Sequence, residues 1–212
     1  MPMNRTGMRI AAAALAALFA TVASAGEMGQ QSDPLARHHD HHHVAMDTRT
    51  VRSIINYRVP DVRLVRDDGV AVNLMEELDA TRTVVLSFIY TTCTTICPVA
   101  SATLAQLQGQ LGGDIAKVQM VSISIDPDQD TPSRLTEYGK KFGAGPNWRH
   151  YTGTAEASIA VQRAFDAYRG DKMNHTPVTY IRRPASQSWI RLDNFASADE
   201  LLAECRGLVA SK

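Results

Sequence analysis

One stretch constrains this chain more than any other. The apolar run Val84-Val85-Leu86-Ser87-Phe88-Ile89-Tyr90 ends in Thr91-Thr92-Cys93-Thr94-Thr95-Ile96-Cys97-Pro98, and a helix-like segment follows from Val99. Seven nearly continuous apolar residues read as a strand buried on both faces. Two cysteines therefore sit where a buried strand hands over to a helix. Proline has the backbone angle favoured at the first helical position, so Pro98 predicts Cys97 as the N-cap. The positive end of a helix favours a thiolate over a thiol, which makes Cys97 the expected activated sulfur. Such a pair can close a disulfide or hold a soft metal ion. The plain alternative is two small buried apolar side chains that happen to be cysteines.

The remaining composition narrows the choice. Lys plus Arg and Asp plus Glu balance at 22 each in 212 residues. That balance argues against nucleic acid or an anionic membrane surface as a partner. Cysteine occurs three times, at 93, 97 and 205. A close pair and one distant residue point to chemistry at one site and not to a disulfide framework.

Residues 1–25 read as a secretory signal. Arg5 and Arg9 form a positive start, Ile10 to Val22 is an apolar run, and Ala23-Ser24-Ala25 is a small-x-small cleavage site. The run is short beside the roughly 20 apolar residues of a membrane span, so an uncleaved anchor is the lesser alternative. Export to a periplasm is the expected destination. Residues 26–56 read as a mobile arm, mostly polar, containing His38, His39, His41, His42 and His43. Imidazoles at that density form a candidate accessory metal site.

Residues 57–212 read as one folded domain. Val62, Leu64, Val70 and Val72 alternate around Asp67-Asp68-Gly69, a β-hairpin signal. Leu74 to Leu78 is a short helical piece before the central strand. Val118 to Ile125 is a second strand, with Asp130 or Thr131 as cap of a helix that begins at Pro132 and runs to Phe142. Trp148 to Tyr151 is a short strand, and Thr154 caps a helix over 155–168. Val178–Ile181 and Trp189–Leu192 form a late strand pair. Ser197 and Glu200 make a capping box for a last helix over 198–209. Strands alternating with helices predict an α/β fold with a central mixed sheet, helices on both faces and an N-terminal hairpin. A dithiol after the first long buried strand, with a late antiparallel pair, resembles the thioredoxin-like arrangement.

In that arrangement the segment before the late strand lies beside the dithiol, which brings His175 toward Cys93 and Cys97. Ser124-Ile125-Asp126-Pro127 ends the second strand on the same carboxyl edge, where ligands usually sit in open α/β sheets. Two thiolates and one imidazole form a soft, low-coordination donor set. It suits Cu(I), and with the histidine also Cu(II). Structural zinc prefers four ligands and fits less well. His150 reads as structural or exposed, and Cys205, among Leu201, Leu202 and Leu208, as a core residue.

Cys93-x-x-x-Cys97-Pro98, Ser124-Ile125-Asp126-Pro127-x-x-Asp130-Thr131-Pro132 and a lone His before a late strand together resemble the Sco/SenC family. The resemblance runs from about Val59 to the C-terminus. It implies a thioredoxin-like fold, export, and copper held by Cys93, Cys97 and His175. It also implies a role in building the dinuclear copper centre of cytochrome oxidase. A copper-acceptor protein, such as an oxidase subunit, is then the expected partner, and a monomer the expected state. Membrane contact would come only through the partner or an uncleaved anchor. The chain departs from the family pattern at Thr94-Thr95, where many relatives carry an acidic residue, and at Asn174, where they carry Asp. Thr176-Pro177 resembles the cis-proline of true thioredoxins. That feature supports a second reading, a thiol–disulfide oxidoreductase using Cys93 and Cys97 as its redox pair. A third is a metal buffer acting through the histidine arm.

Overall fold

The computed structural model describes residues 49–78 and 81–210. The signal reading at 1–25 and the histidines at 38–43 lie outside the described residues. No helix among the described residues is long and apolar enough to cross a membrane.

Eight strands form a single mixed sheet. In chain order they are β1 (Val51–Asn56), β2 (Arg63–Arg66), β3 (Ala71–Asn73), β4 (Thr83–Ile89), β5 (Val118–Ser124), β6 (Trp148–Gly153), β7 (Val178–Arg182) and β8 (Ser188–Asp193). Their spatial order is β1-β8-β7-β4-β5-β6-β2-β3. Only β4–β5 and β5–β6 are parallel pairs, and the remaining neighbours are antiparallel. The helices are α1 (Leu74–Glu77), α2 (Ile96–Leu111), α3 (Pro132–Lys141), α4 (Ala155–Ala164) and α5 (Ala198–Ala210). A 3-10 segment at Gly112–Lys117 follows α2, and a 3-10 turn at Lys172–Asn174 precedes β7.

Strand period 2 explains how the sheet splits the core. Val85, Met120, Trp148 and Ile181 pack with Leu104, Leu107 and Leu111 of α2 and with Leu201 and Cys205 of α5. Leu86, Phe88, Val121, Ile123 and Tyr151 face the other way, onto Val161 of α4 and Phe165. Every residue of β4 and β5 is buried, as central strands covered on both faces must be. At their centre Ser87 and Ser122 share a hydrogen bond of 3.0 Å, and Trp148 Nε1 donates to Ser122 Oγ at 2.9 Å. The α/β thioredoxin-like class and the hairpin at β2–β3 are both present.

Three boundaries differ from the sequence expectation, each for a physical reason. Strand β1 lies in the stretch read as arm, because it holds to β8 by backbone pairing at the sheet edge. Val51 and Ile54 are 55% and 62% exposed there, so no apolar alternation marks it. Helix α2 starts at Ile96, with Thr95 as cap, so Cys97 lies inside the first turn and not at the N-cap. Helix α4 stops at Ala164, because Asp166 adopts a left-handed backbone (φ 51°). The Phe165 carbonyl is then free to accept from Tyr180 Oη at 2.7 Å. Finally, Thr176–Pro177 is trans, since no cis peptide occurs among the described residues.

The expected helix caps are realised at three ends, with Thr154 Oγ1 accepting from Ala157 N–H at 3.1 Å. Thr131 Oγ1 accepts from Arg134 N–H, which leaves Asp130 for another task. Ser197 N–H donates to Glu200 at 2.7 Å and Glu200 N–H to Ser197 Oγ at 3.2 Å. Breaking that reciprocal box by Ser197→Ala is expected to cost about 1 kcal/mol of stability. Denaturant unfolding with an unchanged slope measures this, and an unchanged midpoint would show that the box contributes nothing.

Candidate metal centre

Strand β4 ends at Ile89, and the chain turns through Tyr90–Thr95 before α2. The turn is held from below by Asp130, a fully buried residue of the β5–α3 loop. Its carboxylate accepts from Thr91 N–H at 3.1 Å, from Thr91 Oγ1 at 2.5 Å and from Ser124 Oγ at 2.6 Å. A buried carboxyl group is costly unless such donors surround it, so Asp130 and the loop conformation require each other.

Within the turn, Cys93 N–H bonds the Tyr90 carbonyl at 3.2 Å and sets the sulfur under the helix start. Thr95, the cap residue of α2, makes no side-chain capping bond. The Cys93 sulfur takes that place, accepting from Cys97 N–H at 3.3 Å. An N-terminal N–H without an intrahelical partner thus finds an anionic acceptor. Burial pushes the Cys93 thiol up, but the backbone donors at Cys97 and Thr95 outweigh it. With help from the Cys97 thiol and the Tyr90 hydroxyl they bring it down to about 7. Cys97 is fully buried, and burial plus the neighbouring Cys93 sulfur push its thiol well above the ordinary range. The activated sulfur is therefore Cys93 and not Cys97, which corrects the expectation from the helix start. Both are free cysteines.

His175 follows the 3-10 turn, with Lys172–Asn174 closed by His175 N–H on the Lys172 carbonyl. The residue is buried, and burial lowers its imidazole to about 4 against the opposing Phe88 carbonyl. It is thus neutral at neutral pH, the form in which a histidine ligates metal. Its ring meets the Tyr90 ring edge-on, with centroids 6.4 Å apart. Tyr90 also packs in one cluster with Cys93 and Cys97. The structure thus brings Cys93 and Cys97 together and sets His175 against the tyrosine that touches them. Among the described residues, no three His, Cys, Asp or Glu side chains form a closed metal-holding group. On its other side His175 lines a cavity of about 140 Å³ with Asp126, Ser158, Gln162, Arg169 and Lys172.

The other candidates are structural. Cys205 is fully buried in the α2–α5 core, and burial pushes its thiol up to about 12. His150 is fully buried, stacked on Trp148 at 5.3 Å, with Nδ1 3.6 Å from an Asp67 oxygen. Sequence reasoning missed two residues that shape the site. Tyr90 reads as the last member of an apolar run, and Asp130 as a possible cap. The Asp-Thr-Pro spelling marked the right place for Asp130 but the wrong partner.

The unequal thiols have a direct consequence for the reduced, metal-free protein. Alkylation of Cys93 should rise as pH rises through about 7, where its thiol ionises, while Cys97 stays unmodified across the same range. Peptide mapping after short exposure to iodoacetamide measures both, and modification of Cys97 first would contradict the assignment.

Comparison with known proteins places the fold and the family. A curated relative, the SCO1 protein homolog of Bacillus subtilis (strain 168), is 31% identical over 110 residues. The match covers 51% of this chain and 56% of that protein, so the chain spans little more than half of the relative's length. Among solved structures, BsSco is described as a member of the Sco family of cytochrome c oxidase assembly proteins. It superposes with TM-score 0.64 at 25% identity, covering 76% of this chain and 99% of its own. Arabidopsis thaliana ScoI, solved with copper bound, gives TM-score 0.61 at 24% identity, covering 73% and 99%. The family model for SCO1/SenC matches residues 56–210. That match runs from the last residue of β1 to the final turn of α5 and takes in the dithiol turn, Asp130 and His175, and by it the chain belongs to the SCO1/SenC family.

Proposed function

We propose that this protein is an exported copper carrier. It holds copper with Cys93, Cys97 and His175 and passes it to an apo-cuproenzyme such as a cytochrome oxidase subunit. The observation that carries the reading is the sulfur pair at the head of α2, with Cys93 held near its ionisation point by backbone donors. A thiolate is the form that ligates metal, and Cys93 reaches it at neutral pH without losing its place in the fold. Cys97 supplies a second soft sulfur one helical turn away, and its proton leaves when metal takes its place. The neutral imidazole of His175 needs no deprotonation to join them. Two sulfurs and one nitrogen suit Cu(I), and the nitrogen extends the set to Cu(II).

The fit has one structural condition. Tyr90 contacts both the cysteine pair and His175, so gathering all three donors on one ion involves a local shift around that ring. A site that closes only when loaded also opens readily, which suits cargo handed on by ligand exchange. The relatives solved with copper, or described as oxidase assembly proteins, support the same cargo and a similar recipient. The positive, apolar and small-residue succession in residues 1–25 supports export to a periplasm, and His38, His39, His41, His42 and His43 supply an accessory collecting site.

Copper titration of the reduced mature protein tests the reading. One equivalent is expected to bind, and Cys93→Ala, Cys97→Ala and His175→Ala are each expected to weaken binding by an order of magnitude or more. Tight stoichiometric binding that survives all three substitutions would contradict the ligand set, while deletion of residues 38–43 should leave this equivalent in place.

A second reading rests on the asymmetry of the two thiols. A low-pKa Cys93 beside a high-pKa Cys97 is the pattern of an attacking and a resolving sulfur in thiol–disulfide exchange. In that role the Cys93 thiolate attacks a disulfide of the acceptor and releases one acceptor thiol, and Cys97 then attacks Cys93 in the mixed disulfide, closing the Cys93–Cys97 bond and releasing the second acceptor thiol. Reduction of an oxidised acceptor at the same rate with and without copper loading would favour it over delivery.

A further inference from the structure

Met173 stands apart from every other large apolar side chain of the described residues. It is 72% exposed, more than any of them, yet it belongs to an ordered turn and not to a loose loop tip. Asp171 caps the turn by accepting Met173 N–H at 2.8 Å. The next residue back, Lys172, reaches the Asp126 carboxylate and places its ammonium 5.7 Å from the Tyr90 ring centre. The turn thus fixes the methionine by its backbone, while the side chain covers no core.

The sulfur nevertheless has a specific neighbour. Tyr90 Oη lies 3.8 Å from Met173 Sδ and donates to it. The same residue lies in one buried cluster with Cys93 and Cys97, and its carbonyl accepts from Cys93 N–H at 3.2 Å. One tyrosine therefore stands beside an exposed thioether and a buried thiol, and its ring meets His175. Three groups able to hold a soft ion, at 93, 173 and 175, border one side chain. Only the thioether faces solvent widely.

Those properties differ in a way that orders them. A thioether is a soft, neutral, weak ligand with no proton to lose, so it can accept and release Cu(I) at any pH. A buried thiolate binds more strongly and is harder to reach. Building on the copper-carrier reading, we infer that Met173 Sδ is the entry and exit ligand for Cu(I) at this site. It receives the ion at the surface and exchanges it with Cys93 when Tyr90 withdraws its hydroxyl. The exchange changes no oxidation state. A sulfur–copper bond to Met173 breaks as one to the Cys93 thiolate forms, and any thiol proton goes to water. Departure reverses the order, with the acceptor's ligand replacing Met173.

The test uses the full chain labelled with 13C at the methionine methyls, its eight methionines being distinguished at this position through Met173→Leu. Leucine keeps the bulk and removes the sulfur. In the Cys93→Ala background, where onward exchange is blocked, anaerobic Cu(I) should move the Met173 methyl resonance. In the protein with both cysteines, Met173→Leu should slow Cu(I) transfer to a competing chelator several-fold and leave equilibrium affinity nearly unchanged. A stationary Met173 methyl together with an unchanged transfer rate overturns the inference, while thiolate-to-copper absorption in the same sample leaves the carrier reading intact. If that absorption never develops, the carrier reading falls and the entry role falls with it.

Discussion

The turn that carries the sulfurs exists because one buried carboxylate requires it. Asp130 is wholly removed from water, and three donors from Thr91 and Ser124 surround it. Thr91 comes from the β4–α2 turn and Ser124 from the end of β5, so the contact joins two parallel strands at their carboxyl edge. Removing a donor would leave a buried charge under-solvated, a defect that typically costs several kcal/mol. The fold therefore keeps the turn closed, and the closed turn aims the Cys97 N–H at the Cys93 sulfur. Electrostatics in the loop begins with packing beneath it.

From that contact the chemistry of the site follows in steps. The helix start has no side-chain cap, and a cysteine sulfur fills the role. Because Cys93 caps, it is the sulfur that gains negative character. Because Cys97 is inside the first turn against Tyr138 and Leu135, it remains a buried thiol. Tyr90 then connects the pair to His175 and to Met173. A tyrosine with its hydroxyl pushed up to about 12 by burial and the nearby sulfurs stays a donor at all ordinary pH. It can therefore hold the metal-free arrangement and give way when a stronger interaction replaces its hydrogen bond to Met173.

Much of this was legible in the amino-acid order, and the failures have common causes. The run Val84–Tyr90 and the Cys-x-x-x-Cys-Pro spelling located the central strand and the sulfur pair, because burial on both faces leaves only one polar residue, Ser87, in the run. Thr131, Thr154 and the Ser197–Glu200 pair marked helix starts through local chemistry that needs no tertiary information. Strand β1 was not legible, since an exposed edge strand carries no alternation. The exchange of roles between Cys93 and Cys97 was hidden because the aim of a backbone N–H depends on a loop held by a residue 39 positions away. Tyr90 was hidden for a related reason: an aromatic residue at the end of an apolar run looks like more core. The thioredoxin-like strand order placed His175 near the sulfurs, but only the structure put a ring against it.

The central claim is that copper is held by both sulfurs and the imidazole of residues 93, 97 and 175 once Tyr90 has given way. X-ray absorption at the copper edge of the Cu(I)-loaded, reduced protein tests it most directly. The account predicts two sulfur scatterers and one imidazole nitrogen, with the nitrogen lost in His175→Ala. A first shell of imidazole nitrogens without sulfur would place the metal elsewhere and contradict it.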